Sequence, residues 1–165
     1  MRYLIVISLL AVSFNSCSFS LSGISIDPNI DTFNVETFEN TADLIEPTLA
    51  LDLTEALKER IRNSSRLDWS KTKPDIIFTG TITGYRITSE APQAGATTAF
   101  NQLTINLRVE YEEVNDEDKA WKKTFSRFVQ FPSNQDFNTV KDELINEVTE
   151  FIIQDVFNEA FAKNW

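Results

Sequence analysis

Between residues 101 and 114 the chain alternates without a break. Leu103, Ile105, Leu107, Val109 and Tyr111 take one parity, and Gln102, Thr104, Asn106, Arg108 and Glu110 take the other. A strand with one apolar and one polar face belongs to an antiparallel sheet packed on one side and wet on the other. Whatever fold the chain adopts must therefore cover one face of a sheet, and only one.

Two segments have the pattern to form that cover. In residues 44–63, Leu49, Leu53, Leu57 and Ile61 recur every four residues, and Ala50 and Ala56 widen the stripe. Pro47 fits only in a first turn, which places the helix start near Glu46. In residues 137–163, Val140, Leu144, Val148, Ile152 and Val156 form a second stripe, widened by Ile145, Phe151, Phe157 and Phe161. Asp136 with Thr139 supplies its N-terminal cap signal.

The remaining segments read as strands. Residues 18–27 approximate a period of two and turn at Pro28-Asn29. Residues 32–39 alternate until Phe38 falls out of step, which marks an irregularity. Residues 76–88 are β-branched, with Gly80 and Gly84 marking bends or close backbone approach. After a hairpin turn at residues 115–118, Trp121, Phe125, Val129 and Phe131 return on alternate positions. Residues 89–99, small and weakly polar, read as a mobile loop. The order β-β-α-β-β-β-α predicts an α+β two-layer sandwich: a mostly antiparallel four- to five-stranded sheet with two helices packed on one face.

The N-terminus has a different character. Arg2 precedes an apolar run from Leu4 to Phe14 that is interrupted only by Ser8 and Ser13. That run falls short of the roughly 20 residues needed to span a bilayer but suits the apolar region of an export signal. The only cysteine, Cys17, follows the small residue Ser16 where such a signal ends. We read residues 1–16 as a lipoprotein signal, with cleavage before Cys17 and lipid on its sulfur. Phe14 stands where such signals usually carry Leu. The alternative is ordinary secretion with Cys17 inside the signal or as a free thiol. Residues 17–165 then form one domain, and with no second cysteine no internal disulfide can support it.

Composition narrows the chemistry. There is no His, which removes imidazole acid–base catalysis, Ser–His nucleophiles and His metal ligands. The net charge of −10 makes the chain a poor generic binder of nucleic acid or of an anionic membrane. Acids at Glu112-Glu113 and 116–118 crowd the expected hairpin, without the spaced ligands and turn glycine of a calcium loop. Gly80 and Gly84 lack the lysine and flanks of a phosphate loop. Tyr85 and Trp121 read as sheet packing, whereas Trp69 either covers a sheet edge or stands exposed at a contact. The chain reads as a non-enzyme, with no catalytic residue, metal or cofactor.

Charge is uneven, however. From 58 to 73, Lys58, Arg60, Arg62, Arg66, Lys71 and Lys73 face only Glu59 and Asp68. This segment is either a solvated helix end or a contact for an anionic partner, and Arg60, Arg62, Arg66, Lys71 and Lys73 are the candidates.

Taken together, Cys17 followed by FSLSGISI (19–26), FEN (38–40), LTEALKERI (53–61), FTGTITGYRIT (78–88), NQLTINLRVEY (101–111), a Trp121-bearing strand and NEAFAKNW (158–165) resemble the LptE family of lipopolysaccharide-assembly lipoproteins. The resemblance covers essentially all of residues 17–165. It implies a two-helix, four-stranded sandwich that plugs the β-barrel LptD, helps that barrel fold and aids lipopolysaccharide delivery. Ser18 after the modified Cys17 implies transfer to the outer membrane, with the domain facing the periplasm and acyl chains as the membrane contact. Lipopolysaccharide contacts in the family use basic residues, which brings the 58–73 candidates forward. A rival role is a periplasmic lipoprotein that serves as activator or auxiliary subunit of another envelope enzyme or transporter.

Overall fold

The alternating segment becomes the second-last strand of a mixed sheet in the computed structural model, which describes residues 25–90 and 99–162. The elements run β1 (Thr32–Val35), β2 (Glu39–Asn40), α1 (Leu49–Ser64), β3 (Asp68–Trp69), β4 (Ile76–Glu90), β5 (Phe100–Glu113), β6 (Asp116–Pro132) and α2 (Phe137–Phe161). The sheet has six strands in the order β3-β1-β4-β5-β6, with β2 pairing β4 beyond the end of β1. Residues 1–24, including Cys17 and most of the strand expected over 18–27, lie outside the described residues, as do residues 91–98 of the expected loop. Residues 25–27 are irregular; the Ser25 amide donates to the Phe161 carbonyl at 2.9 Å, at the end of α2.

The expectation of a mostly antiparallel four- to five-stranded sheet is corrected in part. β4-β5-β6 is an antiparallel meander, but β1 runs parallel to both β3 and β4, and β2 runs parallel to β4. The cause is the position of α1 in the sequence. A helix between two strands that pair carries the chain back across the sheet, so the strands it joins run the same way. β3 was missed because two exposed residues carry no periodicity.

Both helices cover the same face. Leu49, Leu53, Leu57 and Ile61 of α1 are fully buried, as are Val148, Ile152 and Val156 of α2. They meet Phe33, Phe78, Ile82, Leu103, Ile105, Leu107 and Val109 in one continuous core. Fully burying each such side chain contributes about 1.5–3 kcal/mol. α1 and α2 run parallel, since Glu46 pairs with Lys141 at one end while Arg60 meets Gln154 near the other. Aromatic packing closes the base of the core: Tyr111 stacks on Trp121 at 5.4 Å and meets Phe78 edge-on at 5.2 Å. This is the sheet-packing role expected of Trp121.

Other boundaries move for local reasons. α1 begins at Leu49 rather than near Glu46, because the Glu46 carbonyl accepts from the Leu49 amide and the Asn40 side chain in a turn. The hairpin turns at Val114-Asn115, and β6 resumes at Asp116 opposite Glu113. Residues 117–120 have no partners in the register, and Lys119 draws them in by pairing with Glu113 at 3.2 Å and Asp116 at 3.3 Å. Phe151, placed on the apolar stripe from the sequence, is 44% exposed. It sits one turn before Asp155 on the flank of α2 that overhangs the edge strand β6. Asp136 caps α2 as expected, accepting from the Asn138 amide at 2.9 Å.

The irregularity at Phe38 joins sheet to helix. The chain breaks between β1 and β2, and the Phe38 amide donates to buried Thr54 Oγ1 at 3.0 Å, which itself donates to the Ala50 carbonyl. The Phe38 ring then lies over Gly80, where an added Cβ would stand 2.5 Å from its Cδ1. Gly84 sits at a register shift in β4, its outer face against Asn106. Because Phe38 is pinned by its own amide, Gly80→Ala is expected to destabilise the fold by about 1–3 kcal/mol through overpacking. Urea midpoints measure this, and adding Phe38→Leu should recover part of the loss.

Candidate functional site

The basic segment of 58–73 winds from the last turns of α1 through β3 to the start of β4, and its side chains part company. Arg60 turns inward. Its guanidinium donates to Gln154 of α2 and lies 5.1 Å from the centre of the Phe157 ring. It borders a cleft of about 360 Å³ between the helices, with Glu59, Asn146, Thr149 and Glu150. Arg66 is spent on structure, bonding Asp31 Oδ1 and the Asp27 carbonyl, each at 2.7 Å, and so fixing the chain that enters β1.

The others stay outside. Lys58 pairs with Glu55 at 2.9 Å, with its ammonium 4.9 Å from the centre of the Trp69 ring. Arg62, Lys71 and Lys73 are exposed, and no acidic partner stands within salt-bridge range of them among the described residues. Trp69, on β3 at the sheet edge, is 46% exposed. Of the five candidates, the structure therefore leaves Arg62, Lys71 and Lys73 available along the β3 edge and takes Arg60 and Arg66 into the framework.

The second surface is the sheet face away from the helices. Thr79, Thr81, Thr104, Asn106, Arg108 and Glu110 lie on it, with Lys122 paired to Glu110 and Ser126 donating to Asn106 at 2.7 Å. Among the described residues no element covers this face, and Phe128 stands 54% exposed on it. The outer edge of the sheet is β6, locked to α2 by Arg127, which holds Asp155 through two bonds of 2.5 and 2.7 Å, and by Lys123, which meets Glu159 at 2.6 Å. Lys123 and Arg127 share their parity with Phe125 and Val129. Two cations in an apolar register are the signal by which the sequence could have revealed an edge strand reaching a helix flank.

Two phenols are buried in the core. Burial, reinforced by Glu46 and Asp142, pushes the Tyr85 phenol up to about 12. Burial and then its bond to Glu113 likewise push Tyr111 up. Both phenols stay neutral at physiological pH. Among the described residues, no group of three or more Cys, Asp or Glu side chains is arranged to hold a metal ion, and no helix is long and apolar enough to cross a membrane.

These features define a class: a two-layer α+β domain with parallel helices on one face of a mixed sheet and a wet opposite face. The chain belongs to the LptE lipopolysaccharide-assembly family, whose model matches residues 30–160. No curated protein matches it by sequence. Its fold is similar to that of the PelC dodecamer from Paraburkholderia phytofirmans (12% identity, TM-score 0.55, covering 84% of this chain and 95% of that one). It is similar also to a minor lipoprotein from Acinetobacter baumannii (12% identity, TM-score 0.53, covering 79% and 91%). A third is protein XCC0632 from Xanthomonas campestris (12% identity, TM-score 0.53, covering 81% and 87%).

One residue absent from the sequence reading holds the basic edge in register. The Asp75 carboxylate accepts from the Asp31 amide at 3.0 Å, and from the Thr32 amide and hydroxyl at 2.9 and 2.8 Å. These bonds, the Asp31 amide foremost, hold its carboxyl below the ordinary aspartate value of 3.8. A depressed folded-state value contributes stability that is present above 3.8 and lost as pH falls below it. Asp75→Ala should therefore cost about 1–2 kcal/mol at neutral pH, after allowance for solvent screening of this partly exposed group. Urea unfolding of the variant and the parent should converge as the pH is taken below 4.

Proposed function

We infer that this chain is a non-enzymatic outer-membrane lipoprotein, anchored through acyl chains on Cys17. In that position it assists assembly of an LptD-type β-barrel and plugs it during lipopolysaccharide transport to the cell surface. The observation that carries the reading is the family match over residues 30–160. Physical argument supports it. A plug acts by filling volume and pairing with a lumen wall, and the interiors of outer-membrane barrels are polar. The uncovered sheet face, with Thr104, Asn106, Arg108 and Glu110, has the chemistry to meet such a wall, and it leaves the apolar core undisturbed.

The anchor follows from the leader and the lone thiol. Stable attachment needs two or more acyl chains, each buried CH₂ contributing about 0.8 kcal/mol. The domain then faces the periplasm, with the exposed cations Arg62, Lys71 and Lys73 left to meet an anionic partner. Arg60 and Arg66 serve instead to shape the surface from which those cations project.

Two measurements test this. Mass spectrometry of the native protein should give an N-terminal Cys17 carrying fatty acids. A tagged chain recovered from detergent-solubilised outer membranes should bring a large β-barrel with it, and its depletion should lower surface lipopolysaccharide while other barrels still assemble. Recovery with no barrel partner overturns the plug.

A further inference from the structure

The end of the domain at which the described chain begins carries an unpaired basic edge. The Ser25 amide bonds the Phe161 carbonyl at the C-terminus of α2, and Arg66 grips the Asp27 carbonyl two residues later. Since α1 and α2 run parallel, Arg62 in the last turn of α1 lies at this same end. Lys58 and Arg62, one turn apart on α1, share a side of the helix, and Lys58 reaches over Trp69 at 4.9 Å. Lys71 and Lys73 follow Trp69 in the loop that leads to β4. An exposed indole, three unpaired cations and a fourth stacked on the indole therefore share one sheet edge.

A short tether starts beside that edge. Fully extended, the chain from Cys17 to Ser25 reaches at most about 28 Å. If Cys17 carries the lipid, as the proposed function holds, this end of the domain cannot move farther than that from the bilayer surface. Tethering confines the protein near the membrane, so a weak attraction suffices to choose which side faces it. A Trp beside Lys and Arg is the combination that settles at a headgroup boundary, with the ring at the interface and the cations on phosphates.

The net charge of −10 does not cancel the effect. Near the edge, Glu55 pairs with Lys58 and Asp31 with Arg66, which leaves Glu59 of α1, Asp68 of β3 and the hydrogen-bonded Asp75 as the acids beside the free cations. Lys73 lies nearer the β5–β6 hairpin, where the Val114 amide bonds the Asp75 carbonyl, but β3 itself stands three and four strands from the hairpin acids Glu112, Glu117 and Asp118. At about 4.8 Å per strand, that is roughly 14–19 Å. Physiological salt screens charges beyond about 8–10 Å, so the edge presents its own sign to a surface in contact with it.

We propose that the β3 edge, formed by Trp69, Arg62, Lys71 and Lys73, rests on the anionic phospholipid headgroups of the membrane that tethers the chain, and so sets the orientation of the domain. The test couples the chain starting at Cys17, through that thiol, to maleimide lipid in phosphatidylcholine vesicles. Vesicles are prepared with phosphatidylglycerol, with lipopolysaccharide in its place, or with neither, and each set carries brominated acyl chains as quenchers. Subtracting the Trp69→Phe variant isolates the signal of Trp69 from those of Trp121 and Trp165.

Trp69 emission should be quenched roughly twofold or more when phosphatidylglycerol is present. The Arg62→Glu/Lys71→Glu/Lys73→Glu variant should abolish this, and the milder Lys71→Gln/Lys73→Gln should reduce it. Arg108→Glu, on the open sheet face, should leave it unchanged. Circular dichroism and urea midpoints confirm that each variant is folded. Absence of quenching, quenching indifferent to charge reversal, or quenching confined to vesicles containing lipopolysaccharide would each overturn the proposal. Because maleimide supplies the tether, the result does not depend on whether Cys17 is acylated in the cell, a question that mass spectrometry answers separately.

Discussion

The structure depends on a sheet that is apolar on one face only. Leu103, Ile105, Leu107 and Val109 lose all exposure, and the burial they require is supplied by both helices at once. A single helix is about 10 Å wide with its side chains, too narrow to cover the meander and the parallel strands together. The two helices therefore lie side by side, joined by Arg60 with Gln154 at one end and Lys141 with Glu46 at the other. Most polar side chains of the sheet are consequently displaced to the opposite face and to the edges.

That displacement puts the free cations and the uncovered polar residues at the surface. The buried polar groups are structural: Thr54 joins the break between β1 and β2 to α1, and the neutral phenols of Tyr85 and Tyr111 sit within the core. Exposed cations divide by location. Those in register with the apolar face of β6, Lys123 and Arg127, reach the acids of α2 and close the β6 edge. Those of the 58–73 segment find fewer acids within reach, so the β3 edge is left open.

The described residues of this LptE-family protein leave two surfaces uncovered, a polar sheet face and a charged edge, turned in different directions. α1 links these features. Its stripe covers the core, its last turn supplies Arg62, and its return to the sheet creates the parallel strands that place β3 at the edge.

The one-faced sheet, both helices and the succession of the last three strands were legible in the residues, because burial imposes periods of 2 and 3.6 that survive in any arrangement. Gly80 and the break at Phe38 were legible as local departures from those periods. Strand direction, the short β3 and the fate of each arginine were not. Arg60 and Arg62 look alike in the sequence, yet one lies against Gln154 and Phe157 while the other meets solvent. Asp75 looked like any surface acid until the approach of β1 placed three donors against it. Sequence alone determined which residues must leave water. Only the tertiary structure decided which charges met a partner, because an ion pair or hydrogen bond depends on distances between segments that no local period encodes.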